Sequence, residues 1–221
     1  MTTSSIPTSP FSPASVGFRR LTACLLLTAA VTGVARADVV RRHTLPVSGI
    51  GELSIVADSG DINLRPGTSD QLEVEVEIRK QTGNRASRNL DLSKVDIGIE
   101  RSAGGLELSL RDKRVQGDWI VRLPRSSQIG VSVALGVGDI DIAPPSGAME
   151  IALGVGDVEV KARKAQVGGV SVNVGVGNAS ISGGEEVRFR RFVGATGSAR
   201  GAGVSTFDVS VGVGDVDIRL D

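Results

Sequence analysis

Acidic residues follow glycine-rich turns at a regular position and are the first candidates for chemistry. Asp139 and Asp157 each follow a Gly-Val-Gly turn, and Asp141 and Glu159 lie two residues further along. If neighbouring turns stack at the strand spacing of about 4.8 Å, these carboxylates form one outward cluster that could bind Ca²⁺ through oxygen ligands. The alternative interpretation is structural, because an Asp beside a glycine turn can cap it by accepting hydrogen bonds from nearby backbone N–H groups.

A basic and aromatic stretch near the end of the chain is the second candidate. The stretch contains Arg188, Arg190 and Arg191, and Arg200 follows a few residues downstream. Such a surface suits an anionic glycan, a lipid head group or an acidic partner. A solvated face above an inward-facing Phe189 is the simpler interpretation. The stretch coincides with the least regular part of the repeat described below, so it is where we first look for a binding surface.

Residues 1–37 have the features of a signal peptide. Arg19 and Arg20 precede an apolar run of 14 residues, Leu21–Val34, and Ala35–Ala37 matches an A-x-A cleavage site. That run is shorter than the roughly 20 residues that span a bilayer, and no later run approaches that length. We therefore predict an exported protein, in the periplasm or at the cell surface of a Gram-negative bacterium, with no transmembrane segment in the mature chain. A lipoprotein box at Leu21–Cys24 and a twin-arginine signal are weaker alternatives.

The composition excludes several classes of function. The single Cys, Cys24, lies in the predicted signal, so the mature chain has no disulfide or thiol nucleophile, and His43 is its only candidate neutral-pH acid or base. Without residues 1–37 the chain has 22 basic and 25 acidic residues, which argues against nucleic-acid binding. We predict no catalytic residues, no metal centre and no cofactor. A polysaccharide-active enzyme that uses the acidic cluster is a less favoured alternative for the function.

The acidic turns belong to a sequence repeat with a period of about 18 to 21 residues. Four segments superimpose, with their turns beginning at Gly136, Gly154, Gly175 and Gly212, and a degenerate copy is centred on Gly194. Apolar and polar residues alternate in each unit, which predicts a half-buried strand. Three columns are predicted to face inward. The column directly after the turn glycine contains Val137, Val155, Val176, Ala195 and Val213. Stacking would also align Asp139, Asp157, Asn178, Gly197 and Asp215 in one outward column.

One unit cannot bury its apolar face alone, but stacked units can. We therefore predict an all-β fold, specifically a single-chain β-solenoid like a parallel β-helix, in which successive units stack. The regular repeats occupy residues 128–221, and residues 38–127 form a looser, irregular β part that caps them. A β-sandwich in which the repeat arises by chance is the alternative fold.

Several of these motifs occur in the same order in a known family. They are Ser59-Gly-Asp-Ile-Asn-Leu64, the strand Leu72–Ile78, the Leu123-Pro-Arg step and the repeated Gly-x-Gly-Asp-[Ile/Val]-x-[Ile/Val] units. On these residues the chain resembles a bacterial family of exported proteins with a domain of unknown function, labelled "putative adhesins". The resemblance implies a β-solenoid-like fold and a role in the cell envelope. It implies no catalytic residues.

The function we predict is that of a non-catalytic, adhesin-like scaffold whose partner is an envelope protein or a surface glycan. The chain ends at Asp221 directly after a strand-forming unit, so a free sheet edge there would favour self-association through the C-terminal unit. The alternative is a periplasmic accessory or sensor protein of an envelope-stress pathway.

Overall fold

A computed structural model describes residues 38–124, 128–143, 147–191 and 194–221 of the chain. These residues form one compact unit that is almost entirely β-structure. The predicted signal peptide lies outside the described residues and stays a prediction. The strands are β1 (Val39–Pro46), β2 (Glu52–Ser59), β3 (Ile62–Pro66), β4 (Gln71–Lys80), β5 (Gly98–Arg101), β6 (Gly105–Leu110), β7 (Val115–Leu123), β8 (Gly130–Val137), β9 (Ile140–Ile142), β10 (Met149–Val155), β11 (Val158–Ala162), β12 (Val167–Val176), β13 (Ala179–Ser182), β14 (Glu185–Arg191), β15 (Ala195–Arg200), β16 (Ser205–Val213) and β17 (Val216–Leu220).

The strands form two sheets that share one hydrophobic core. Sheet A has the order β1-β4-β7-β3-β9-β11-β17-β13, and sheet B has the order β14-β15-β12-β16-β10-β8-β2-β6-β5. Buried side chains of both sheets belong to a single cluster, which includes Trp119 of sheet A and Phe207 of sheet B. Buried and more exposed residues alternate along most strands, as the apolar–polar pattern predicts. The prediction of an all-β fold is confirmed.

The repeated unit is a strand of sheet B followed by a strand of sheet A, and we call this pair a rung. Six rungs lie side by side, in the spatial order β6–β7, β2–β3, β8–β9, β10–β11, β16–β17 and β12–β13. Neighbouring rungs are parallel and in register: Met149 lies opposite Val131 on one side and Phe207 on the other. This is the register predicted from the repeat, because it brings like apolar residues into the same column.

The spatial order of the rungs differs from their order in the chain, so the prediction that successive units stack is wrong. The last unit, β16–β17, lies between β10–β11 and β12–β13. The apolar columns of the units are nearly interchangeable, so the sequence pattern sets the register between neighbours without selecting which units become neighbours. Both strands of the last unit pair on both sides, so it does not provide the free C-terminal sheet edge on which self-association was predicted.

The degenerate fourth unit is not a rung, which corrects a second prediction. β14 and β15 form an antiparallel hairpin, and β15 pairs antiparallel with β12. Gly197 therefore lies opposite Val172 and Phe189 and not in the turn column. A parallel rung would have put Arg191 in an apolar column, at a high cost in desolvation, whereas the hairpin makes β14 the edge strand of sheet B. The pairing of β14 with β15 shifts its register between Glu185 and Arg188.

The N-terminal half contributes two complete rungs, β2–β3 and β6–β7, and the strands that lie beyond β6–β7 at that end of the stack. There, β4 pairs antiparallel with β7 and β1, and β5 pairs antiparallel with β6. The connection between β4 and β5 contains two short 3₁₀ helices, Arg85–Ser87 and Leu92–Lys94. The side chains of Asn84 and Asp91 cap them by accepting hydrogen bonds from backbone N–H groups two residues later. Within the described ranges, no helix has the length and hydrophobicity needed to cross a membrane.

Candidate functional site: the turns, their carboxylates and the edge strand

The acidic residues of the turns form a continuous hydrogen-bonded ladder. The Asp139 carboxylate accepts a hydrogen bond from the backbone N–H of Asp157 at 2.9 Å, and the Asp157 carboxylate accepts one from Asp215 N–H at 2.8 Å. The same bond recurs from rung to rung, so each carboxylate caps the turn of its neighbour. The members of this aspartate ladder, in spatial order, are Asp118, Asp61, Asp139, Asp157, Asp215 and Asn178. The capping interpretation is therefore the one observed, with the bonds running between rungs.

Glycine is required beside this ladder because the turn backbones are in close contact. Gly156 has φ +139°, and a Cβ added to it would stand 1.9 Å from the carbonyl oxygen of Gly138 in the next rung. The turns are joined by further backbone bonds, such as Gly156 N–H to the Val213 carbonyl oxygen at 3.0 Å. A side chain would obstruct this contact and would also be strained at that φ. The Gly-x-Gly spacing thus serves the stacking of the turns.

A second acidic column on the outer face of sheet A is paired with bases. Asp141 lies opposite Glu159, and Glu159 lies opposite Asp217. Arg65 contacts Asp141 at 3.0 Å, and Lys161 contacts Glu159 at 2.9 Å. The hydrogen bond from Lys161 lowers the pKa of Glu159 below its ordinary value, with smaller contributions from the charges of Lys161, Arg219 and Arg65. Glu159 is therefore ionised at neutral pH and forms ion pairs on an exposed face.

The acids proposed as a cation site are divided between these two systems. Asp139 and Asp157 belong to the aspartate ladder, whereas Asp141 and Glu159 form ion pairs with Arg65 and Lys161. Across the part of the chain that the structure describes, no group of three or more His, Cys, Asp or Glu side chains is arranged to hold a metal ion. The arrangement uses the carboxylates to stack turns and to balance surface charge.

The ladder predicts different outcomes for two substitutions at one position. Asp157→Ala removes the acceptor for Asp215 N–H, and we expect the free energy of unfolding to fall by about 1–1.5 kcal/mol, as for an exposed capping hydrogen bond. Asp157→Asn keeps an amide oxygen that can accept the same hydrogen bond, and we expect a change within about 0.5 kcal/mol. Urea unfolding of both variants measures the difference. An equal loss in both would mean that the charge, and not the hydrogen-bond acceptor, stabilises the turns.

The valines of the Gly-Val-Gly turns face solvent, so their assignment to an inward column is wrong. Their exposed fractions are 53% for Val137, 48% for Val155, 48% for Val213 and 53% for Val176. They lie opposite one another in neighbouring rungs and form a continuous apolar line, which we call the valine ridge. The strand alternation that predicts an inward position is interrupted at the preceding glycine: in β10 both Gly154 and Val155 are exposed, although Val155 still pairs with β8 and β16.

The structure brings only part of the predicted basic surface together. Glu186 lies 3.8 Å from Arg188 and 3.6 Å from Arg200, and all three are on the hairpin that forms the edge of sheet B. Arg190 lies opposite Thr196, and the side chain of Arg191 lies outside the described part of the chain. Phe189 is 36% exposed, and its ring stands over Gly197, where a Cβ would be 2.6 Å from the Phe189 Cε1. The cluster therefore includes an acid that the sequence interpretation omitted.

Two members of the aspartate ladder were missed from the sequence. Asp61 lies in the Gly60-Asp61-Ile62 step, which the sequence comparison linked to the repeat without placing it in the column. Asp118 lies in Gly117-Asp118-Trp119, the same Gly-Asp-apolar step with an aromatic residue in the third position. Arg79 of β4 forms an ion pair with Asp118 at the end of the ladder. A search for Gly-Asp-apolar steps alone would have found both.

The fold and its turns define a class: an all-β protein in which parallel strand pairs stack through Gly–Asp turns. The chain belongs to the family described as the N-terminal domain of toast_rack, DUF2154, which matches residues 47–182. This agrees with the predicted resemblance to the "putative adhesin" domain family, which is confirmed.

One of the solved structures similar to this chain shares its architecture. A "putative cell adhesion protein" from Clostridium sporogenes superimposes with a TM-score of 0.51 and 14% identity, covering 83% of this chain and 100% of that chain. A "putative adhesin" from Bacteroides fragilis has a TM-score of 0.32 and 12% identity, covering 83% and 98% of the two chains. At these identities the likeness concerns the fold alone. No curated protein matches the chain.

Proposed function

We propose that this chain is a non-catalytic interaction protein of the bacterial cell envelope, built as a solenoid-like β scaffold. The observation that carries the proposal is that the turn carboxylates are engaged in structural hydrogen bonds and ion pairs. Asp139 and Asp157 accept hydrogen bonds that hold rungs together, and Asp141 and Glu159 are paired with bases. The residues best suited to chemistry are thus engaged in building long, regular surfaces, which suit extended contacts with a partner.

The adhesin-like character of the proposal is supported by the relatives. The Clostridium sporogenes protein, which shares the fold, is called a "putative cell adhesion protein". Export is supported by the basic start, apolar run and A-x-A site within residues 1–37. We propose that the mature chain begins after Ala37 and acts at the cell surface, with an envelope protein or a surface glycan as its partner.

Protease treatment of intact cells tests this proposal. A copy tagged after Asp221 is expressed, and intact and lysed cells are treated with the same protease. We expect the tagged chain to be digested on intact cells, because an adhesin must be accessible from outside. Digestion in the lysate is the control that the folded chain can be cleaved.

The second arm measures adhesion itself. We expect deletion of the gene to reduce attachment of cells to a surface, and a wild-type copy to restore it. Protection of the chain until the outer membrane is opened would contradict the adhesin role and would favour a periplasmic accessory or sensor protein.

A further inference from the structure

We propose that the valine ridge is a docking surface for a basic amphipathic α-helix of a partner protein. The inference rests on the proposed function as an interaction protein and identifies the surface and the chemistry of the partner. The ridge consists of Val137, Val155, Val213 and Val176, which are each about half exposed and lie in register across four rungs. Such a line of exposed apolar side chains at one corner of the stack is a candidate contact surface.

The fold does not require valine at these positions. In the neighbouring rung, β2–β3, the equivalent position is Ser59, which lies opposite Val137 and is partly exposed. A polar residue is thus compatible with the turn. The valines are also absent from the buried cluster, whose last members on these strands, Leu135, Leu153 and Val211, lie two residues earlier. Their apolar character is therefore available for a contact outside the chain.

The charge beside the ridge indicates a basic partner. Asp139, Asp157 and Asp215 each lie two residues beyond a ridge valine, and each uses its Oδ1 atom to accept the ladder hydrogen bond. Among the described residues, none donates a hydrogen bond to, or forms an ion pair with, their Oδ2 atoms. Lys161 and Arg219, on the neighbouring strands of sheet A, are paired with Glu159 and Asp217. Carboxylates spaced by about 4.8 Å repel one another, so a line of Lys or Arg side chains would be attracted to this edge.

The spacing of the rungs favours a helix over a strand. Four ridge valines extend over about 14 Å, with one valine about every 4.8 Å. A helix along the ridge presents one side chain per turn of about 5.4 Å, so about three turns stay close to register with the valines. An extended strand presents same-face side chains about every 6.8 Å and loses the match after one step. The apolar side of the helix would contact the valines while its basic side faces the aspartate ladder.

A pair of designed peptides tests the inference on the purified mature chain. The probe is an 18-residue helical peptide of Leu and Lys, with leucines three and four residues apart, labelled for fluorescence anisotropy. The counterpart has Glu at every Lys position. We expect the Leu–Lys peptide to bind and the Leu–Glu peptide to bind at least about tenfold more weakly, with affinity falling as salt increases.

Three sets of substitutions locate the binding. The first is Asp139→Asn, Asp157→Asn and Asp215→Asn together, which removes the three charges and keeps an amide oxygen as the acceptor of each ladder hydrogen bond. The second is Val137→Thr, Val155→Thr and Val213→Thr. The third makes the same change in net charge on the outer face of sheet B, through Glu107→Gln, Glu150→Gln and Asp208→Asn. Thermal unfolding confirms that each variant is folded.

We expect the first two sets to weaken binding of the Leu–Lys peptide by at least about tenfold and the third to leave it within about twofold. Absence of binding to the wild-type chain, or an equal loss in all three sets, would overturn the inference. A wild-type dimer that the valine substitutions dissociate, with no peptide binding, would overturn it in favour of a second copy as the occupant. Peptide binding is measured on purified protein, so its outcome is independent of the cell-surface location. Either the docking surface or the location can therefore be contradicted while the other is supported.

Discussion

Val211→Asp is expected to unfold the protein, whereas Val213→Asp is expected to leave it folded. Val211 lies opposite Leu153 of β10 on one side and Val174 of β12 on the other, and it is 4% exposed. A carboxylate there would be buried without a partner, at a cost of about 4 kcal/mol or more against a typical total of about 5–15 kcal/mol. Val213 lies two residues later on the same strand and is 48% exposed, so it controls for the position in β16.

Circular dichroism and urea unfolding of the two variants measure this difference. The opposite expectation follows from a C-terminal unit at the end of the stack, where Val211→Asp would leave a folded chain and change only its oligomeric state. A cooperative transition close to that of the wild type in Val211→Asp would therefore contradict the position of β16 between β10 and β12. Self-association itself stays a prediction, and it would have to use another surface, such as β14 at the edge of sheet B.

The parts of the fold that could be predicted from the sequence depend on local patterns. The alternation around Val131 and Met149 identifies strands and their buried faces, and the Gly-x-Gly step identifies the turns. Both signals arise within one unit, from the pleat of a strand and from backbone sterics. The in-register stacking also follows, because a shift by one residue would expose every apolar side chain.

The order of the rungs could not be predicted, because it depends on differences that the repeat suppresses. A unit that begins at Met149 offers the same columns to the unit from Val170 and to the unit from Phe207. In the structure the β14–β15 hairpin pairs with one side of β12, and β16 occupies the other side. Such a choice is made by long-range geometry and leaves no local trace in the sequence.

The candidate site shows the same division. The capping role of Asp157 was among the interpretations drawn from the sequence, because an Asp beside a glycine turn has a local function. Its partner, Asp215 N–H, lies 58 residues away in the chain, so the bond itself depended on the rung order. The assignment of the ridge valines to an inward column is wrong for a different reason, since the period of two residues is interrupted inside the strand, at the glycine that precedes each valine.

Gly156→Ala is the second substitution for which we expect a large effect. The turn has φ +139° at Gly156, and the new Cβ would stand 1.9 Å from the carbonyl oxygen of Gly138, a backbone atom that cannot move without displacing the neighbouring rung. Strain at this φ and the displacement of a hydrogen-bonded turn together should lower the free energy of unfolding by about 3–5 kcal/mol. Because Gly138 and Gly214 make the same close contact with the turn of the neighbouring rung, the same loss is expected at each.

Two other glycines separate the causes. Gly83 has φ +81° but open space around its Cβ position, so Gly83→Ala reports the backbone strain alone, about 1–2 kcal/mol. Gly169 has open space as well and no positive φ, so Gly169→Ala should change the stability by less than about 1 kcal/mol. Urea unfolding of the three variants should therefore rank Gly156 well above Gly83, and Gly83 above Gly169. If Gly156→Ala cost no more than Gly83→Ala, the turns would not be in the close contact that stacks the rungs, and the aspartate ladder could not form its bonds between them.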